Sequence, residues 1–213
     1  MTTPSNSLIL ESFAQTFGIS GQSFNFPPLQ IHKGTLVGLL GQSGSGKSIL
    51  LRQLAGLMSA TPAPILHTSS QAFIFGRHGL FQHYSIRENL DLCTMFVPKT
   101  IGPDDIDACL KRWNLHVVQH KNASQLSPQA MKVTQIARTT LLHPDIVFVE
   151  KPLIGLSYEQ AKQFIEWVDS YTKSGGVLIY SEESAQVFRS LQPTYINLDG
   201  GDQNLRTVLN TGT

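Results

Sequence analysis

Gly41-Gln42-Ser43-Gly44-Ser45-Gly46-Lys47-Ser48 fits the pattern G-x-x-x-x-G-K-[ST] and lies directly behind the apolar run Thr35-Leu36-Val37-Gly38-Leu39-Leu40. That run reads as a buried strand, and Ile49-Leu50-Leu51-Arg52-Gln53-Leu54 continues as a helix. Strand, glycine loop and helix are the context that turns the pattern into a mechanism. Glycines let backbone N–H groups converge on phosphate oxygens, and the helix N-terminus adds partial positive charge. Lys47 is placed to reach the β- and γ-phosphates, and the Ser48 hydroxyl to bind Mg2+. The competing reading, a glycine turn that happens to precede a lysine, leaves the flanking strand and helix unexplained. The stretch therefore implies a nucleoside triphosphate site and leaves hydrolysis open.

Around this loop the chain has ordinary globular proportions. Its 213 residues suffice for one sizeable core, with room for a small satellite subdomain. A net charge of +1, with no run of Lys or Arg, argues against a nucleic-acid partner. Cys93 and Cys109 match no metal or redox spacing, which fits a reducing cytosol. Met1 to Ser7 lacks the basic and apolar regions of a signal peptide. No apolar run approaches the ~18 residues needed to span a bilayer. A role at a membrane would therefore require another chain to hold this one there.

Patterning outward from the loop alternates strands with helices. Leu8-Ile9-Leu10, Ser12 to Phe17 and Phe24 to His32 read as short strands, the last interrupted by Pro27-Pro28, as at an edge or bulge. Gln71 to Phe75 is a further strand, bounded by Gly76. Ile86 to Phe96 and Pro103 to Trp113 carry helical periodicity, and Ser127-Pro128 starts a helix running to Leu142. Ile146-Val147-Phe148-Val149 and Val177-Leu178-Ile179-Tyr180 are continuous apolar strands. Between them, Ser157 to Gln160 opens a helix to about Thr172. A short helix at Ala185 to Leu191, a strand at Thr194 to Leu198, and a hairpin from Asp199-Gly200-Gly201-Asp202 to a strand at Leu205 to Leu209 complete the pattern. Such alternation implies a mainly parallel sheet with helices on both faces. His116 and His120, four apart, could share a helix face as a metal pair, or be a solvated helix end or loop, since no third ligand is near.

The motifs in this order resemble the nucleotide-binding subunit of an ABC transporter over nearly the whole chain. Leu80 to Leu90 is similar to the segment after that family's glutamine loop, and the region Ile86 to Phe96 falls where the family meets the coupling helices of membrane subunits. The apolar residues of Ile86 to Phe96 also read as packing. Leu126-Ser127, ending in Ile136-Ala137-Arg138, aligns with the signature motif and its helix, and Ile146 to Pro152 with the second nucleotide motif. Phe17 falls where the family stacks an aromatic on adenine, with plain core packing as the alternative. The resemblance implies an α/β P-loop NTPase fold with a mainly parallel core sheet, a small N-terminal antiparallel β part and a helical signature subdomain. It implies one domain over residues 1–213, with the helical part inserted at approximately 77–135. It further implies ATP and Mg2+ as ligands, held by Gly41, Gln42, Ser43, Gly44, Ser45, Gly46, Lys47 and Ser48, with Ser48 and Glu150 toward the metal. Ser127 and Gln129 would act in trans on nucleotide bound by a second ATP-binding subunit. A membrane-spanning subunit would hold the pair, peripheral on the cytoplasmic face of a membrane.

Departures from that pattern cluster at the catalytic positions. Gly76 stands for the glutamine that senses Mg2+, and Pro128-Gln129-Ala130 for Gly-Gly-Gln of the signature. Glu150 stands for the aspartate that supports Mg2+, and Lys151 for the glutamate that polarises water. Ile154 to Ser157 lacks the following loop's aspartate, Glu182 stands for the γ-phosphate histidine, and the short span from Lys47 to Gly76 suggests a trimmed hairpin. A charged Lys151 cannot be a general base, and phosphates nearby would keep it charged. Losing such a base costs about 10²–10⁴ in rate. Alternatively, Glu150 itself polarises water. Glu182 either points to solvent or forms a swapped ion pair with Lys151. Pro128 lacks an N–H and Gln129 crowds a glycine position. A homodimer would then carry two defective sites, so pairing with an intact relative is expected. The expected function is nucleotide binding in a transport complex with hydrolysis weak or lost. The rivals are a regulatory module that dimerises on ATP and another P-loop enzyme such as a nucleotide kinase, which would leave the signature-helix alignment without a reason.

Overall fold

Short strands open the chain in the computed structural model, which describes residues 8–12, 15–19, 22–26, 28–68, 70–76, 79–95, 101–199 and 207–208. They form β1 (Leu8–Ser12), β2 (Gln15–Ile19), β3 (Gln22–Phe26) and β4 (Leu29–His32). β1 pairs antiparallel with β4, and β2 with β3. The apolar run before the glycine loop is β5 (Leu36–Leu40), and the helix after it is α1 (Lys47–Leu54). β6 (Ile65–Leu66) adds antiparallel to β1, and β7 (Gln71–Ile74) follows. Three helices come next: α2 (Ile86–Thr94), α3 (Pro103–Arg112) and α4 (Pro128–Leu142). β8 (Ile146–Glu150), α5 (Tyr158–Lys173), β9 (Val177–Glu182), β10 (Thr194–Asn197) and β11 (Thr207–Val208) complete the order.

The main sheet runs β11-β10-β5-β9-β8-β7. β10, β5, β9 and β8 are mutually parallel, and β11 is antiparallel to β10. β8 is buried along its whole length, as its apolar run Ile146 to Val149 requires, with Glu150 at its end also buried. Leu50, Leu51 and Leu54 of α1 are fully buried in one cluster with Val37, Leu39, Ile146, Phe148 and Ile179 of the sheet. Burying each such side chain stabilises the fold by roughly 1.5–3 kcal/mol. Gly176 lets β9 begin flush against Tyr171, since a Cβ there would lie 2.3 Å from the ring.

Two compact units emerge along the chain. One comprises Met1–Phe73, Asp145–Pro152 and Val168–Thr213, the other Ile74–Pro144 and Leu153–Trp167. The stretch 77–135 lies inside the second unit, which also takes in the start of α5. Each helix of that unit starts on a side-chain or proline signal. Ser85 and Glu88 form a reciprocal capping box on α2. Pro103 begins α3 with Asp105 accepting from the Gly102 N–H at 2.9 Å. Ser127 Oγ accepts from the Ala130 N–H at 3.1 Å while Pro128 takes the first position of α4.

Polar anchors inside the second unit escape notice in the sequence. Asn89, fully buried, accepts from the Phe81 N–H and donates to the carbonyls of Phe81, Tyr84 and Ser85. It thereby fixes the loop ahead of α2. Gln135 accepts from the Phe75 N–H at 2.9 Å, and buried Lys132 lies 3.5 Å from the Phe75 carbonyl, so α4 pins the chain just beyond β7.

One expected element is absent. Residues 185–188 are turns, and only Arg189–Leu191 makes a single 3-10 turn, in place of a helix from Ala185 to Leu191. Phe188 (φ 58°) and Gln192 (φ 52°) adopt left-handed conformations that interrupt a helical ladder. Phe188 is buried edge-on to Tyr180, with ring centroids 5.1 Å apart, so packing overrides local periodicity. His116 and His120 sit in exposed turns rather than on a helix face, and no metal-capable cluster exists among the described residues.

Replacing Asn89 by Ala strands buried groups of the 81–85 loop. Urea denaturation of Asn89→Ala should show a loss of about 1–3 kcal/mol, and an unchanged midpoint would show that the loop is held by other means.

Candidate functional site

Parallel register brings the C-terminal ends of three strands to one edge. Leu40 of β5 lies opposite Glu182 of β9, and Glu150 of β8 opposite Ser181. On the other side Asn197 of β10 also faces Leu40, and the Leu198 N–H donates to the Leu40 carbonyl at 2.8 Å. In open parallel sheets ligands bind beyond such strand ends. The glycine loop leaves β5 at this point.

The loop's conformation is one that side chains would block. A Cβ on Gly41 would lie 2.5 Å from Ser45 Oγ and 2.9 Å from an Asp199 carboxylate oxygen. Gly46 (φ 88°) turns the chain into α1 in the left-handed region, where glycine carries no steric penalty. No side chain caps α1, so its first N–H groups remain available to an anion. Lys47 folds back into the loop, donating to the carbonyls of Gly41 (2.5 Å) and Gln42 (2.6 Å) and to Ser45 Oγ (3.3 Å). Burial holds its ammonium below the ordinary lysine range. The carboxylates of Glu183, Asp199 and Glu182 oppose that effect, and Lys151 reinforces it. Phosphate oxygens are the natural replacement acceptors for this ammonium, since they supply charge as well as hydrogen bonds. Gln42, Ser43, Gly44 and Ser48 are exposed.

Charged residues ring the loop. Asp199, just past β10, accepts from the Gln42 N–H at 2.5 Å. Lys151, the first residue beyond β8, takes a left-handed conformation (φ 46°), and its N–H donates to the Ser181 carbonyl. Its ammonium lies 3.7 Å from Glu183, and both side chains are half exposed. The swapped pair expected between Lys151 and Glu182 is therefore replaced by one with Glu183. Glu182 instead accepts from the Glu183 N–H at 2.9 Å. An exposed pair such as Lys151 and Glu183 contributes about 0–1 kcal/mol.

Glu150 is buried, and Arg52 on α1 approaches it, with Nη2 2.8 Å from Oε1. Two groups were expected to face Mg2+, the Ser48 hydroxyl and the Glu150 carboxylate. Mg2+ demands near-ideal octahedral oxygens at about 2.0–2.1 Å. The exposed Ser48 hydroxyl suits such an ion, whereas the Glu150 oxygen is already engaged by a guanidinium, so the donor pair does not fit the ion as expected.

The remaining expected residues lie elsewhere or outside what is described. Phe17 belongs to β2, but its side chain falls outside the described residues. In the second unit, Ser127 and Gln129 form the exposed start of α4. Gln129 donates to Gln160, which caps Ser157 at the head of α5, so two helix starts are tied together. Sequence reading missed Arg52, Glu183 and Asp199. Arg52 follows Ser48 by four residues, hence on the same face of α1, but nothing in the sequence names its partner.

Comparisons with known proteins agree with this geometry. The family profile described as ABC transporter matches residues 25–153. The chain is 30% identical over 175 residues to the "Probable sulfate/thiosulfate import ATP-binding protein CysA" of Chlorella vulgaris, covering 76% of this chain and 74% of that protein. It is also 30% identical to the sulfate/thiosulfate import ATP-binding protein CysA of Thermosynechococcus vestitus, covering 76% of this chain but 52% of the relative. The chain thus spans about half the length of that cyanobacterial relative. Among solved structures, an ATP-binding subunit of an ABC transporter superposes with a TM-score of 0.78 at 17% identity, covering 90% of this chain and 86% of that one. A dimeric ATP-binding cassette in a post-hydrolysis state with ADP and Pi gives 0.74 at 18%, covering 91% and 94%. At these identities the superpositions establish the P-loop NTPase cassette fold.

Removing the ammonium that threads the glycine loop tests the site directly. Lys47→Ala should weaken triphosphate binding roughly 10- to 150-fold, the worth of hydrogen bonds to a charged group. Titration with a fluorescent ATP analogue reads this, and unchanged affinity would remove residues 41–48 from the binding site.

Proposed function

The chain belongs to the ABC transporter family, and from that premise we propose that it is the ATP-binding subunit of an import-type transport complex, holding ATP on its glycine loop while hydrolysing it slowly. Gly41 to Ser48 hold the phosphates, with Lys47 leaving the Gly41 and Gln42 carbonyls for the β- and γ-phosphates. Phe17 stacks on adenine. Import is the role printed for the relatives. No described helix is long and apolar enough to cross a membrane, which supports a place on the cytoplasmic face held by a membrane-spanning partner subunit.

The observation that carries slow turnover is Lys151. It follows β8 directly, where the family's water-polarising carboxylate belongs, and its ammonium lies 3.7 Å from the Glu183 carboxylate. An ammonium has donors only and cannot accept a proton from water. The alternative base, Glu150, is engaged by Arg52, which weighs against that role. Glu182 offers no donor to a γ-phosphate.

Ser127 and Gln129 act in trans on nucleotide bound by a second ATP-binding subunit. The Ser127 hydroxyl already accepts from Ala130 and the Gln129 amide is held by Gln160, so the reaching groups are partly committed. Together with Pro128, this supports pairing with an intact relative over self-pairing.

Saturable ATP binding by the purified chain with phosphate release about 10²–10⁴ below that of a cassette carrying the carboxylate is the expected result. Lys151→Glu should raise the release rate while leaving binding in place. Rapid release by the unaltered chain alone would overturn the reading.

A further inference from the structure

Among the described residues, four carboxylates border the glycine loop, and each has a partner within the chain itself. Asp199 takes the Gln42 N–H, Glu182 the Glu183 N–H, Glu183 faces Lys151, and Glu150 faces Arg52. The last of these differs in kind. The Glu150 side chain is 11% exposed and ends the central strand β8, while Arg52 reaches it from α1, one turn beyond Ser48 on the same face. Arg52 Nη2 lies 2.8 Å from Glu150 Oε1 as an ion pair, without the alignment of a hydrogen bond, so the guanidinium acts on the carboxylate as a nearby positive charge. It stands on a helix that starts at the phosphate loop, and it needs no ion recruited from solution.

Resting on the reading that this loop binds ATP, we propose that Arg52 takes the place of a divalent cation as the counter-charge to Glu150, so that nucleotide binding depends little on Mg2+. For Mg2+ to use Glu150, the Arg52 contact must break and a second strong cation must enter within a few ångströms of the guanidinium. The carboxylate would exchange a preorganised partner for an ion that surrenders its own water reluctantly. What the loop offers a triphosphate without metal is Lys47 and the uncapped N-terminus of α1. No cluster of three acidic, histidine or cysteine side chains that could hold a metal exists among the described residues, so no substitute cage stands nearby.

The test titrates the full chain with ATP in excess Mg2+ and in EDTA at matched ionic strength, by competition with a fluorescent analogue. The unaltered chain should change affinity by less than about threefold, and Arg52→Gln should become at least about tenfold weaker in EDTA than in Mg2+, within the range of ordinary two-ligand coupling. Loss of more than about tenfold by the unaltered chain in EDTA would overturn the inference and leave the ATP-binding reading standing. Failure to bind ATP in either buffer would overturn both. An Arg52→Gln variant that still ignores Mg2+ would overturn the role given to Arg52. Glu150→Gln supplies the check should Arg52→Gln fold poorly. Its affinity should change by the same factor in both buffers, and a loss confined to Mg2+ would assign Glu150 to the metal and overturn the inference.

Discussion

Hydrogen-bonded register between β5, β9 and β8 sets where the chemistry of this protein can occur. Once Leu40 lies opposite Glu182, and Glu150 opposite Ser181, the glycine loop, the end of β8 and the end of β9 must meet at one edge. A slip of one residue would turn each strand's side chains to the other face. Burial of Val147, Phe148, Val149, Leu178, Ile179 and Tyr180 on both sides of the sheet makes such a slip costly. The same core seats α1 through Leu50, Leu51 and Leu54, which aims its uncapped N-terminus at the site and carries Arg52 beside Glu150.

The edge so formed is electrostatically closed in a way the family pattern does not suggest. Lys47 is drawn onto loop carbonyls, Asp199 holds the Gln42 N–H, and Arg52 and Lys151 each face a glutamate. The two pairs are unequal. Lys151 and Glu183 are exposed and screened, so their pairing is weak. Arg52 and Glu150 are shielded on the carboxylate side, where leaving one charge without the other is expensive. Lys47, Arg52 and Lys151 are thus each held by partners within the chain itself.

Much of this was legible along the chain. The glycine loop, the strand before it and the helix after it could be read to within a residue or two, because buried strands and glycine turns leave local patterns. Helix α4 was legible at both ends, since Ser127 and Pro128 mark its start and its periodicity stops at Leu142. Phe188 shows the opposite case: the local pattern suggested a helix, but packing on Tyr180 forced a left-handed turn. The buried amides of Asn89 and Gln135 were also silent, because a polar residue's burial depends on which distant backbone groups arrive to meet it.

By itself the sequence determined the alternating α/β architecture, the phosphate loop and the placement of Lys151 directly behind the apolar strand β8, because these depend on residue type and spacing over a few positions. Tertiary structure alone decided the partners of the charges. Glu183 rather than Glu182 meets Lys151, and Arg52 meets Glu150 across 98 residues of chain. An ion pair is a matter of distance and shielding, and both arise only when strand register and helix packing have brought remote segments together.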